Sequence, residues 1–302
     1  MSTPRPTPVA GHSERLSNGR QQIHLRRWDG PAGAPWILLV HGYPDCSHVW
    51  DAVAPRLAQH FRVAAYDVRG AGASTRPQRT ADYRLSALMS DLACVLDALE
   101  DGAPIHLVGH DWGSIQSWEA ATDPALAARL ASFSSISGPC LDHVGHWLAQ
   151  QWARPGGRGA VVAQARRSWY IALFHLPLLA PVGWRVGLGR AWPRLLTRME
   201  RHPIPASPTQ AQDGATGVRL YRANVLPCLR RPRARQAQLP VQLIRPRHDP
   251  FVSAALLEAV QPWVAQLHTR DIEAGHWAPL SASAEVATAI AEFVDGLERQ
   301  AA

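Results

Sequence analysis

An aspartate stands in the middle of Gly109-His110-Asp111-Trp112-Gly113, between an apolar run and a helical pattern carrying Ile115, Trp118 and Ala121. Glycine, any residue, nucleophile, any residue, glycine is the sequence of a sharp strand-to-helix turn that lifts its central side chain over the end of a sheet. Side chains at the two glycines would collide with neighbouring elements in so strained a turn. A carboxylate there is ionised at neutral pH and needs no base to attack carbon. The helix N-terminus just after it favours its negative charge. Aspartate also caps helices well, so the pentapeptide alone leaves capping and chemistry both open.

The loops after the other strands narrow the choice. In open parallel sheets, reactive groups collect beyond the carboxyl ends of the strands. After one predicted strand comes Arg245-Pro246-Arg247-His248-Asp249-Pro250-Phe251, where Asp249 is placed to orient a histidine. After another comes Glu273-Ala274-Gly275-His276-Trp277, and His276 is the histidine to be oriented. One histidine among fourteen decides little. The order nucleophile, acid, histidine, each just past a strand, decides more. His41-Gly42-Tyr43-Pro44-Asp45 supplies a small, kinked loop for an oxyanion hole, with the Tyr43 and Trp112 N–H groups as donors. Pro44 restricts Tyr43 to extended backbone, and a cis Tyr43–Pro44 bond is expected. Asp67 and Arg69 read as structural partners. Asp142 is the reserve acid should Asp249 point elsewhere. Ser114 lies three residues beyond Asp111, inside the helix, which argues against a serine esterase.

These loops require a parallel sheet to hold them. Continuous apolar runs predict strands at 36–40, 61–66, 105–108 and 131–136, with later ones at 241–244 and 267–272. Leu85, Leu88, Leu92, Val95, Leu96 and Leu99 fall at helical spacing, as do Val286, Ile290, Phe293, Val294 and Leu297. The fold class is therefore α/β, a mostly parallel sheet flanked by helices. Residues 139–238 break the alternation and are too many for a loop, so they are expected to form a helical lid inserted after the fourth parallel strand. Residues 14–138 and 239–302 are the expected core, and the Pro-rich 1–13 a disordered tail.

Composition removes other classes. The net charge is +7, and all 31 basic residues are arginine, which fits a coding bias better than a nucleic-acid surface. Arginines crowd 190–235 without the interleaved aromatics of a nucleic-acid module, and read as a solvated face. Cys46, Cys94, Cys140 and Cys228 lie too far apart for a zinc motif and read as free thiols. No signal or transmembrane pattern is seen, so a cytoplasmic enzyme is the default expectation. Monomer and homodimer stay open.

These motifs resemble the epoxide hydrolase branch of the α/β-hydrolase superfamily, over nearly the whole chain after the tail. His41-Gly42-Tyr43-Pro44 looks like that branch's H-G-x-P, and Gly275-His276 like its terminal histidine. Ser168 to Phe174 and Tyr221-Arg222-Ala223-Asn224 are similar to its two lid segments, which each supply a tyrosine, here Tyr170 and Tyr221. The resemblance implies an α/β-hydrolase fold and a cofactor-free, metal-free reaction of Asp111 with a small apolar epoxide, completed by water. It implies that Tyr170 and Tyr221 hold the epoxide oxygen, whereas packing alone is the other reading of both. His41, Trp112, Trp169 and Trp277 are the expected pocket residues, although lid tryptophans could equally be core. Two rivals stand beside this. A haloalkane dehalogenase resembles the same scaffold, but that family shows Asn where Tyr43 stands here. A non-catalytic binding protein would carry degenerate residues at these positions, and none is seen.

Overall fold

The computed structural model describes residues 11–301. Its strands are β1 (Gly11–Asn18), β2 (Gln21–Trp28), β3 (Trp36–Val40), β4 (Arg62–Tyr66), β5 (Ile105–His110), β6 (Ser132–Ile136), β7 (Val241–Pro246) and β8 (Leu267–Ile272). They form one sheet in the order β1-β2-β4-β3-β5-β6-β7-β8. Every pairing from β4 to β8 is parallel. The class read from the sequence is the one observed.

Parallel strands are linked by crossovers, so helices cover both faces of the sheet and the strands read as unbroken apolar runs. All five residues of β3 are buried. Its alternate side chains feed opposite cores, because successive residues of a strand point to opposite faces. Leu38 and Val40 join Leu88, Leu92 and Trp118 on one side. Ile37 and Leu39 join Val286, Ile290 and Val294 on the other. The stripes read at helical spacing belong to helices Leu85–Leu99 and Ser283–Ala301.

The N-terminal boundary needs correction. Residues 1–10 lie outside the described residues, but Gly11, His12 and Ser13, assigned to the tail, open β1 and pair with Trp28, Arg27 and Arg26. β1 is an exposed edge strand held by backbone hydrogen bonds to β2, so it carries almost no apolar signal. β2 then joins β4 antiparallel, a hairpin addition to the parallel sheet.

After β6 the chain leaves the sheet for helices Leu141–Ala153, Arg158–Arg167, Trp169–His175, Leu179–Gly183, Gly189–Glu200 and Gln210–Arg230, with one π turn at Trp184–Leu188. Ion pairs tie the two ends of this insertion together. Arg233 donates from its backbone N and from Nη2 to the two oxygens of Asp142, at 2.9 and 2.7 Å, and from Nη2 to Glu119 at 2.7 Å. Arg235 pairs with Glu119. The end of the arginine run is thus a clamp rather than a solvated face, and Asp142 is committed to it instead of serving a histidine.

Candidate active site

Asp111 links β5 to helix Trp112–Thr122 with φ 50° and ψ −119°, an uncommon conformation for a residue with a side chain. Such a residue costs of order ~1–3 kcal/mol and persists only where its surroundings impose it. Here its N–H donates to the Ile136 carbonyl at 2.9 Å, and its carbonyl accepts from Ile115 N–H. A Cβ at Gly109 would lie 2.5 Å from Ser114 Cα, and one at Gly113 would overlap the Val40 carbonyl. The turn therefore needs both glycines.

The carboxylate of Asp111, 8% exposed, has different surroundings at its two oxygens. Oδ1 accepts the Tyr43 backbone N–H at 2.7 Å. The Tyr43–Pro44 bond is cis, as expected. Oδ2 lies 3.5 Å from His276 Nε2. On the far side of the ring, His276 Nδ1 donates to Asp249 Oδ2 at 2.8 Å. Asp249 Oδ1 accepts the Phe251 and Val252 N–H groups at 2.8 and 3.0 Å. Three residues far apart in sequence thus form one buried chain of charge.

Burial works against a charged His276, but the Asp249 charge and the hydrogen bonds to Asp111 and Asp249 prevail and raise its pKa to about 10. Burial likewise opposes a charged Asp249, and the His276 charge with the two N–H donors holds its carboxyl below the usual range. His110 is buried and held neutral, its pKa lowered to about 4 first by desolvation and then by the His276 charge. Its Nε2 donates to the His276 carbonyl at 2.8 Å, fixing the loop that carries the histidine.

Two tyrosines reach this centre from the insertion. Tyr221, on helix Gln210–Arg230, stands edge-on to Trp112 and Tyr43, with ring centroids 4.8 and 5.3 Å apart. Tyr170, on helix Trp169–His175, stands edge-on to Tyr221 at 6.1 Å and to Phe251 at 5.5 Å. Burial raises the pKa of both phenols, and the Asp111 charge raises both further. Each phenol therefore keeps its proton and stays a donor. The Trp112 indole N–H is buried without a partner among the described residues.

The expected pocket residues divide. Trp169 is 65% exposed and does not line the site. Successive helix residues point about 100° apart, so the turn that aims Tyr170 inward leaves Trp169 to solvent. His41 has both ring nitrogens engaged, Nδ1 with the Gly42 carbonyl and Nε2 with Val68 N–H, so it braces the Tyr43 loop. It also lines a cavity of about 20 Å³ with Tyr43, Asp45 and Trp112. Trp277 stands against the His276 ring at 4.7 Å and donates its indole N–H to Asp45 at 2.9 Å. Asp67 accepts from Ser47 N–H at 2.7 Å and from Ala73 N–H at 2.8 Å, and Arg69 pairs with Asp91 at 2.6 Å, the structural parts read for both.

Sequence reasoning passed over three neighbours. Asp45 is one; burial pushes its carboxyl up to about 7, with the Trp277 bond opposing and the Asp111 charge adding to the rise. Phe251 is another, packed between Tyr170 and His276. Phe174 is the third, with its ring 4.9 Å from Tyr221 and 5.3 Å from Tyr43. Asp45 and Phe251 lie within a few residues of Tyr43 and Asp249, so proximity to the motifs was the available signal.

Relatives of known name bear on this site. The probable oxidoreductase EphD of Mycobacterium tuberculosis is 36% identical over 299 residues, which cover 95% of this chain and 50% of that protein. The chain thus spans about half the length of that relative. Epoxide hydrolase 3 of Xenopus tropicalis is 25% identical, over 86% of this chain and 71% of its own. Among solved structures, Bacillus megaterium epoxide hydrolase with an inhibitor superposes with a TM-score of 0.73 at 20% identity, covering 94% of this chain and 100% of that one. A Pseudomonas aeruginosa protein titled a putative epoxide hydrolase gives 0.75 at 22%, covering 98% and 99%. The family model for the alpha/beta hydrolase fold matches residues 35–283, a span that takes in Asp111, Asp249, His276 and the whole insertion, and the chain therefore belongs to the α/β-hydrolase fold family.

Proposed function

We propose that this α/β hydrolase opens epoxides to vicinal diols through an ester on Asp111. The observation that carries the reading is a carboxylate at the strained turn with one oxygen on the Tyr43 N–H, the other facing His276, and two protonated tyrosines beside it. Oδ2, which accepts no backbone N–H, attacks an epoxide carbon and displaces the ring oxygen. Tyr170 and Tyr221 hydrogen-bond that oxygen as its charge grows, and a proton from them completes the alcohol. His276, oriented by Asp249, then takes a proton from water, and the hydroxide attacks the ester carbonyl at Asp111 Cγ. The developing oxyanion is Oδ1, already on the Tyr43 N–H, with the Trp112 N–H as the second expected donor. Collapse of the intermediate breaks the bond between Cγ and the alkyl oxygen, the new carboxyl group gives its proton to that oxygen, the proton on His276 returns to the tyrosinate, and the diol leaves.

A haloalkane dehalogenase is the second reading, and one observation favours it: the buried, unpartnered Trp112 indole N–H could bind a departing halide. A halide leaves without a proton, so under that reading the two phenols have no task. Purified protein offered aryl and alkyl epoxides, and in parallel haloalkanes, separates the two. Diol formation abolished by Asp111→Asn supports the first reading. Halide release without diol would replace it.

A further inference from the structure

The insertion is apolar on its outside as well as its inside. Among the described residues ten large hydrophobic side chains are exposed, and all ten lie between Trp152 and Leu226. Scattered exposed apolar residues are ordinary, but confinement to one subregion marks a surface that something covers.

Their spacing gives the surface a shape. Helices Trp169–His175 and Leu179–Glu200 meet at 98°, and the corner between them is Pro177 and Leu178. Leu178 has φ 65° and is 75% exposed, so a leucine is held in the left-handed region with little burial in return. Leu179, Val182 and Val186 come next at helical spacing and are 55, 48 and 74% exposed. Arg190, Arg194 and Arg198 then continue at every fourth residue, all exposed. One outer stripe therefore begins apolar at the corner and becomes cationic along the helix.

Charge supplies the occupant. Between His143 and Met199 the chain has eight arginines and no Asp or Glu. All eight are exposed, and none forms an ion pair among the described residues. The only acids of residues 139–238 are spent elsewhere: Asp142 on Arg233, Asp213 on Arg76, and Glu200 on Trp277 N–H and Ser281. Exposed Trp152 and Trp169 add side chains suited to the headgroup level. We infer that this outer face of the insertion docks on an anionic lipid bilayer, with the Leu178–Val186 corner in the acyl boundary and the arginines on the headgroups. Among the described residues no single helix is long and apolar enough to cross a membrane, and the bent pair carries four arginines from Arg185 to Arg198, which suits a contact at the interface. A second copy fits less well, since a two-fold contact would set arginines against arginines. The docking does not depend on which reaction Asp111 performs.

The test is co-sedimentation of the full chain with phosphatidylcholine vesicles, with and without phosphatidylglycerol. Binding is expected only with phosphatidylglycerol and should weaken with salt. Arg185→Gln, Arg190→Gln and Arg194→Gln together should weaken it on the order of a hundredfold, at about fivefold per arginine. Leu178→Ser, Val182→Ser and Val186→Ser should weaken it about tenfold or more, with the circular dichroism spectrum unchanged because all three are exposed. Arg15→Gln, Arg20→Gln and Arg84→Gln, which remove the same charge from outside the insertion, should have little effect. Equal binding to both vesicles, no binding, or equal loss in the two arginine triples would overturn the proposal. So would a dimer that the serine variants dissociate.

Discussion

Neutralising Asp111 should turn His276 from a held cation into a usable base. In the resting protein the imidazole is 3.5 Å from Asp111 and 2.8 Å from Asp249, and its pKa stands at about 10 against an ordinary 6.5. A ring that keeps its proton at neutral pH cannot take one from water. Under the proposed reaction, ester formation on Asp111 would remove one of the two charges that hold it. A unit charge at that distance, with an effective dielectric near 20, is worth on the order of 5 kcal/mol, or about three pKa units. Both side chains are almost wholly buried, so solvent screening takes little from this. His276 should therefore fall towards neutrality at the moment a base is required. Asp111→Asn mimics the neutral ester, and the ring can be followed by NMR titration with His276→Gln to assign its signals. The variant should titrate on the order of three units below the wild type. Stability gives a second reading of the same shift. A histidine raised above its unfolded value stabilises the fold fully below pH 6.5, and that contribution fades as pH climbs to about 10. In Asp111→Asn the fading should be complete at a lower pH. Equal ring titrations in the two proteins would refute the electrostatic argument.

Other outcomes rest on the same geometry. His276→Gln should form the Asp111 ester and stall, with an adduct of substrate mass on the intact protein; steady turnover without adduct would remove His276 from the second step. Tyr170→Phe and Tyr221→Phe should each slow ester formation by about 10²-fold, read as a single-turnover rate, and the double variant by more. Epoxides bearing electron-withdrawing substituents should suffer less, and equal losses across that series would make the tyrosines packing residues. Asp249→Asn should abolish turnover, while Asp142→Asn should leave it intact and lower stability by about 2 kcal/mol in urea denaturation. That figure sits below the usual cost of breaking a buried pair because Arg233 is half exposed. Phe174→Ala should widen the space beside Tyr43 and Tyr221 and shift preference to bulkier substrates, seen as lower KM for them.

How much of this was legible in the sequence depended on which force wrote the signal. β3 and β5 are buried on both faces, so desolvation demanded unbroken apolar runs and the runs could be read. The helix stripes at Leu85–Leu99 and in Ser283–Ala301 are legible for the same reason. β1 is held by backbone hydrogen bonds at an edge, and backbone groups leave no mark in side-chain pattern. The turn at Asp111 was readable because steric exclusion there is absolute: only glycine fits at 109 and 113. Trp169 was misread because a tryptophan signals burial on average, and nothing local says which side of a seven-residue helix faces inward.

Long-range pairing explains the rest. Asp142 and Asp249 both come after strands as carboxylates, and one-dimensional reading ranks them only by chain order. In space the difference is the partner: Asp249 has two N–H donors and His276, whereas Asp142 has Arg233 from the other end of the insertion. That pairing joins positions 91 residues apart and becomes meaningful only once the insertion returns to the sheet beside its point of departure. Asp45 poses the same problem, since its bond to Trp277 spans 232 residues. The arginines divide along the same line. Arg233 and Arg235 pair with acids across the clamp, while the eight between His143 and Met199 form no ion pair among the described residues, and no local pattern separates the two groups. An arginine run is therefore ambiguous until its acids are located, and locating them makes Arg233 and Arg235 a structural clamp and leaves the eight earlier arginines as a charged face in need of a counter-charge.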